Sequence, residues 1–247
     1  MKLSLVTVLV AASCALLGCS SSPLEPLPES GSGPAPGGTS SGSAGASSGI
    51  GAGAGAGAAQ TSATPAWTAY PPGPYGTKRG ATIQNLSFMG WKHPDLVAYD
   101  PAKFEIIRLS DFYDPDGRTS VKLLAINASA VWCGVCRAEY QDMHANDVYE
   151  SLRPLGLEIL GTLFEDNNYY PAQPQDLTSW GRLSSHAVKF PMGLDPGFKL
   201  GSYFDSDATP LNMLIDVRTM TIVQITMGIS NPPAMYWTQV QGMLAKL

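Results

Sequence analysis

The sequence predicts an α/β domain in which a central mixed β-sheet is flanked by helices. Two apolar runs, Val121–Asn127 and Leu157–Leu163, are nearly continuous, as is typical of central strands covered on both faces. Helical segments follow both runs, and two further strands joined by a short turn precede a closing helix. This order of elements is typical of an α/β fold.

The individual elements follow from apolar runs and from the Gly and Pro residues between them. After the first strand the chain turns at Trp132–Cys136 and enters a helix that we expect Pro154 to close. The other predicted elements are, in order, a short strand-like run at Asn85–Phe88, a helix at Asp176–Leu183, an extended piece at Met192–Asp195 leading into 198–204, strands at Leu211–Asp216 and Thr221–Met227, and a C-terminal helix from Pro232 to Leu247.

Composition divides the chain into three parts. Residues 1–18 read as a signal peptide, because Lys2 is followed by an apolar run too short to span a bilayer. Residues 19–66 are dominated by Ser, Gly, Ala and Pro, which predicts a disordered tether. Residues 67–247 have ordinary composition and predict one domain.

The end of the leader resembles the lipobox of bacterial lipoproteins, on the residues Leu16-Leu17-Gly18-Cys19. That resemblance implies that Cys19 is lipidated and anchors the protein to a bacterial membrane on the periplasmic side. Ser20 after it implies sorting to an outer membrane where one exists. An ordinary secretory signal is the alternative, and either reading predicts an extracytoplasmic protein.

Charge and cysteine usage narrow the function classes. The net charge is −5 and Lys and Arg do not cluster, so nucleic acid is not an expected partner. Of four cysteines, Cys14 lies in the leader and Cys19 would carry lipid, which leaves Cys133 and Cys136 in a C-x-x-C pair. Disulfides persist in an exported compartment.

The C-x-x-C pair is open to three interpretations. A cysteine at a helix N-terminus faces free backbone N–H groups and the positive end of the helix dipole, which lower its pKa and make it a nucleophile. Cys133 has that position, and Cys136, one turn later, can resolve a mixed disulfide. A structural disulfide is the second interpretation. Zinc is the third, but it needs about four ligands and only two thiols and scattered histidines are present.

The stretch Ala125–Glu139 resembles the active-site strand and helix of the thioredoxin superfamily, and is most similar to the TlpA/ResA branch of exported thiol–disulfide oxidoreductases. Asn127 stands six residues before the first cysteine, where cytoplasmic thioredoxins carry aspartate, and Glu139 completes a C-x-x-C-x-x-E pattern. Ala208–Asp216 resembles the cis-proline loop and following strand of the same family. The resemblance covers about residues 80–247 and implies a thioredoxin-like fold.

The resemblance also implies roles for individual residues. Cys133 and Cys136 form the redox disulfide, and Glu139 accepts a proton near Cys136. Thr209 and a cis Pro210 bind the substrate backbone beside the sulfurs. Two further roles are a lid over the sulfurs for Trp132 and a supporting contact for Asn127. Val135 stands where many relatives have proline, which leaves the direction of electron flow open.

Three alternative functions remain at this point. A peroxiredoxin-like peroxidase would need proline at the position of Ile126 and threonine or serine at that of Ala130. A Sco-like copper chaperone would use a C-x-x-x-C pair and a distant histidine, for which His186 is available. A redox-inert scaffold is the third.

The preferred function is reduction of exported protein disulfides. No cofactor or metal is expected, and the expected partners are client proteins, a membrane or periplasmic electron donor and the membrane itself. We expect a monomer.

Overall fold

The computed structural model describes residues 69–183, 188–204, 209–228 and 234–247. The predicted signal peptide, the tether and the lipidated Cys19 lie outside these residues. No helix among the described residues is both long and apolar enough to cross a membrane.

A mixed sheet forms the centre of the domain, and seven strands belong to it in the described part of the chain. Its strands are β1 (Ser87–Trp91), β2 (Glu105–Arg108), β3 (Leu123–Ser129), β4 (Leu157–Leu163), β5 (Met192–Leu194), β6 (Leu211–Asp216) and β7 (Thr221–Met227). The spatial order is β2-β1-β5-β4-β3-β6-β7. Strands β3, β4 and β5 are parallel, and the outer strands on both sides are antiparallel to their neighbours.

Four α-helices accompany the sheet within the described residues. They are α1 (Gly134–Ala145), α2 (Val148–Leu152), α3 (Pro174–Gly181) and α4 (Ala234–Leu244). Side chains of all four pack into the same core, on the face of β3 that carries Leu123 and Ala125. The opposite face of β3 carries Leu124 and Ile126, and it packs against the 3₁₀ helix Lys199–Tyr203 and the segment before β1. The expected α/β sheet flanked by helices is therefore confirmed.

The structure corrects two details of the predicted order. The strand-like run predicted at Asn85–Phe88 overlaps β1 only at Ser87 and Phe88. Strand β1 pairs antiparallel with β2, a strand missing from the sequence prediction. The single helix expected up to Pro154 is instead α1 and α2, because Asp147 adopts a left-handed conformation with φ of 47° and ends the helical path.

The two edge strands of the sheet, β2 and β7, differ in how far other residues cover them. Strand β2 is short, and its residues are exposed except for Ile107. Along the opposite edge, residues 80–83 run beside the beginning of β7, where the Ile222 N–H donates to the Ala81 carbonyl at 2.9 Å and the Gly80 N–H donates to the Ile222 carbonyl at 2.8 Å.

Candidate functional site

The two cysteines lie where β3 gives way to α1. Cys133 is the N-cap residue of α1, and Cys136 lies in the first turn of the helix. A disulfide joins them, and the backbone N–H of Cys136 donates to Cys133 Sγ at 3.0 Å. Cys133 keeps 4% of its surface exposed whereas Cys136 keeps none. Any partner must therefore reach the disulfide from the Cys133 side.

This placement has a direct chemical consequence. The free N–H groups of the first helical turn carry partial positive charge, so they stabilise a thiolate at the N-cap more than a thiol. Cys133, the more accessible of the two cysteines, is also the one whose sulfur receives this stabilisation. Reduction of the disulfide would therefore leave Cys133 as the better nucleophile and Cys136 as the protected thiol.

The loop before β6 reaches the same sulfur. The Thr209–Pro210 peptide bond is cis, and Thr209 Oγ1 lies 3.2 Å from Cys133 Sγ as a hydrogen-bond donor. The structure thus brings Thr209 and Pro210, which lie 76 and 77 residues further along the sequence, to Cys133.

Trp132 is half-buried, and the N–H group of its indole ring is hydrogen-bonded. The indole Nε1–H donates to Glu165 Oε2 at 2.8 Å, and the ring centroid lies 5.3 Å from that of Tyr169. Both partners belong to the loop that follows β4. Trp132 therefore joins the turn that carries the disulfide to this loop, while Val135, between the two cysteines, leaves 46% of its surface exposed.

A buried carboxylate lies one helical turn beyond Cys136. Glu139 is 3% exposed, and each of its oxygens accepts a hydrogen bond from an amide on the sheet. Asn127 Nδ2 donates to Oε2 at 2.7 Å and Asn212 Nδ2 donates to Oε1 at 2.8 Å. The sheet thus supplies a matched pair of donors to the helix that carries the disulfide.

The two asparagines act as one unit because they are register partners on β3 and β6. Asn127 Nδ2 also donates to Asn212 Oδ1 at 3.0 Å, and Ser129 Oγ donates to Asn127 Oδ1 at 2.7 Å. Every member of this network is buried. Since buried polar groups are costly unless they are hydrogen-bonded, the network is stable only with its partners in place.

Burial raises the pKa of the Glu139 carboxyl from 4.5 to about 7, against the opposing effect of the two amide hydrogen bonds. The negative charge of Asp142 raises the pKa further. A carboxyl with a pKa near neutrality can accept or release a proton at physiological pH. Among the described residues, no three His, Cys, Asp or Glu side chains are grouped as a metal site requires, and His186 lies outside those residues.

Sequence reasoning missed three residues of this region: Asn212, Glu165 and Tyr169. Asn212 stands inside an otherwise apolar strand, and a polar residue there is a signal that it serves a specific partner. The sequence could not identify Asn127 as the partner of Asn212, because the pairing of β6 with β3 brings together residues 85 positions apart. Glu165 and Tyr169 lie in a loop whose path no periodic pattern specifies.

Comparison with known proteins supports the fold. No protein-family model and no curated protein matches the chain. Among solved structures, a Chlorobium tepidum protein assigned as the thiol:disulfide interchange protein DsbE superposes with a TM-score of 0.51 at 16% identity, covering 68% of this chain and 99% of its own. A Bacteroides thetaiotaomicron protein assigned as a protein disulfide isomerase gives 0.50 at 22% identity, covering 69% and 92%. The fold of this chain is thioredoxin-like.

The raised pKa of Glu139 predicts how stability depends on pH. In the folded state the carboxyl holds its proton more tightly than in the unfolded chain, so the stability that Glu139 contributes is fully present below about pH 4.5 and is lost as pH rises to about 7. Glu139→Gln should abolish this loss, which amounts to about 3 kcal/mol. Urea unfolding of the oxidised protein and the variant across pH 4–8 would measure the difference. Parallel curves would contradict the prediction.

Asn212→Ala should move the same transition to higher pH. The Asn212 amide stabilises the charged carboxylate, so its removal favours the neutral form and raises the pKa of Glu139, by about one pH unit. Asn168→Ala is the matched control, because Asn168 is exposed, lies in the loop after β4 and contributes only its backbone N–H to a hydrogen bond among the described residues. The same unfolding series applies, and an unmoved midpoint in Asn212→Ala would show that the amide does not set this pKa.

Proposed function

We propose that the protein is a membrane-tethered, extracytoplasmic thiol–disulfide oxidoreductase that exchanges a dithiol for a disulfide through Cys133 and Cys136. One observation carries this proposal. A disulfide lies at a helix N-terminus, its first cysteine keeps 4% of its surface accessible while the second keeps none, and the sulfur of the first accepts a hydrogen bond from Thr209 of the cis-proline loop. A purely structural disulfide would need none of these features.

The reducing direction takes two exchange steps. The Cys133 thiolate attacks one sulfur of a client disulfide, which forms a mixed disulfide and releases one client thiolate. The Cys136 thiolate then attacks Cys133 Sγ, which closes the Cys133–Cys136 disulfide and releases the second client thiolate. Two electrons pass from the domain to the client, and the released thiolates take up protons. An upstream dithiol donor must then reduce the domain again.

Glu139 supports the second step by accepting the proton of the Cys136 thiol. Cys136 is fully buried, so water cannot take that proton directly, and Glu139 lies one turn further along the same helix. Its pKa of about 7 allows the carboxylate to take the proton and later release it. The Asn127 and Asn212 amides hold the carboxylate in place and keep its charged form accessible.

The cis-proline loop supports substrate binding in this proposal. Thr209 is hydrogen-bonded to Cys133, and Thr209 and Pro210 would receive the client backbone next to its cysteine. The lipid on Cys19 and the tether over residues 19–66 would keep the domain within reach of exported clients. We assign the reducing direction, with clients such as the haem-attachment cysteines of exported apocytochromes, on the resemblance to the TlpA/ResA branch.

The mechanism predicts different outcomes for the two cysteines. Cys133→Ala should abolish turnover, because the attacking sulfur is lost. Cys136→Ala should accumulate mixed disulfides with clients, because the resolving step is lost. Insulin reduction and non-reducing gels of the full chain would measure both, with Cys14→Ser and Cys19→Ser in the background so that no other thiol is present. Ordinary turnover in either single variant would refute the dithiol mechanism.

The reduction potential of the Cys133–Cys136 pair determines the direction. We expect about −250 mV or lower, in the range of thioredoxin, for a protein that supplies electrons to clients. Equilibration with glutathione or dithiothreitol buffers, followed by alkylation of the free thiols, would measure it. A value near about −120 mV would instead assign an oxidant or isomerase, and Val135→Pro would then test whether the residue between the cysteines is the cause.

A further inference from the structure

We propose that Trp132 and Tyr169 form an aromatic surface that selects clients carrying an apolar or aromatic side chain next to the reacting cysteine. The inference rests on the proposed function and deepens it by naming the substrate class. It is carried by the loop between β4 and α3, residues 164–173, which has no part in the exchange steps.

The loop is held in a defined shape. Asp166 Oδ1 accepts hydrogen bonds from the backbone N–H groups of Asn168 at 2.7 Å and Tyr170 at 2.9 Å. The Asp166 N–H donates to the Tyr170 carbonyl at 2.8 Å, and Glu165 pairs with Pro171 in an isolated bridge. A segment fixed by its own hydrogen bonds loses little entropy on binding, as a recognition surface requires.

The same loop is attached to the turn that carries the disulfide. The Val131 N–H donates to the Glu165 carbonyl at 2.8 Å, and the indole of Trp132 donates to the Glu165 carboxylate at 2.8 Å. Because this bond satisfies the polar edge of the indole, the rest of the ring is left to apolar contacts. Tyr169 lies against it with ring centroids 5.3 Å apart.

Tyr169 is held in an unfavourable conformation and is left exposed. Its φ is 64°, which a bulky residue rarely adopts, and 68% of its surface is accessible. Such strain persists where the surrounding structure imposes it and is frequent at binding sites. Exposed Tyr and Trp side chains held rigidly are also the residues that contribute most at protein interfaces.

The position of Trp132 and Tyr169 indicates which part of a client protein would contact them. In the mixed disulfide, the Cα atoms of Cys133 and the client cysteine are about 5.5–6 Å apart. Client residues adjacent to that cysteine therefore lie within one or two residue lengths of Trp132, the neighbour of Cys133. Val135, two residues after Cys133 and 46% exposed, adds a further accessible apolar side chain beside the disulfide. A client segment with an apolar or aromatic neighbour fits this surface, and one with a small polar neighbour gains nothing from it.

Two cyclic disulfide peptides that differ only in Phe or Ser after one cysteine test this inference. The full chain with Cys14→Ser and Cys19→Ser is reduced with dithiothreitol, desalted and mixed with each peptide, and the remaining protein thiols are counted by alkylation and mass spectrometry. Tyr169→Asn removes the ring with a residue that tolerates positive φ. Tyr170→Ala is the matched control, because Tyr170 is also 68% exposed and has no ring contact with Trp132 among the described pairs.

We expect the parent chain to react about 3- to 10-fold faster with the Phe peptide, as an aromatic contact permits. Tyr169→Asn should lose this preference by slowing on the Phe peptide alone, and Tyr170→Ala should keep it. All three should react equally with hydroxyethyl disulfide, which has no side chain to recognise. A preference that survives Tyr169→Asn, or equal slowing on both peptides, would overturn the inference while the redox function stands. No reaction of the parent chain with any disulfide would overturn both.

Discussion

The Glu139 carboxylate lies in the interior of the domain, between α1 and the sheet. Taking an ionisable group out of water costs several kcal/mol unless hydrogen bonds replace the lost hydration. Here the replacement comes from paired asparagines on β3 and β6, and these amides can meet the carboxylate only in one strand register and one position of the helix. The N-terminus of α1, and with it the disulfide, is therefore positioned by a polar contact in the core.

Around the disulfide, the polar groups lie in the interior of the domain and the apolar side chains lie nearer its surface. The carboxyl suited to proton transfer, Glu139, is buried with its two amide partners one helical turn beyond Cys136. The exposed surface near Cys133 is formed by Trp132, Val135 and Tyr169. A client would thus meet an apolar surface, while the proton of the buried thiol would be exchanged within the protein. Keeping the two apart allows the recognition surface to vary without disturbing the carboxyl's pKa.

The sequence was sufficient wherever local signals were strong. The bounds of β4, β6 and β7 agree with those predicted. For β4 and β6 the reason is that a buried strand needs nearly continuous apolar residues. Strand β2 was missed because an edge strand with one buried residue lacks such a run. The cysteine pair could be found from its spacing, whereas Glu139 was predicted from the resemblance of the C-x-x-C-x-x-E pattern to exported thiol–disulfide oxidoreductases. Asn212 could not be assigned a partner, since strand register depends on contacts between distant segments, and Tyr169 depends on the path of an irregular loop.

The charges on β2 and the backbone hydrogen bonds at the start of β7 have a consequence for a protein held at a crowded surface. Unpaired edge strands can add the strand of another molecule and so begin aggregation. Strand β2 ends in Glu105 and Arg108, whose charges disfavour such addition, and residues 80–83 already occupy the backbone groups at the start of β7. If lipid anchors concentrate many copies in one membrane, these edges would keep neighbouring domains from joining their sheets.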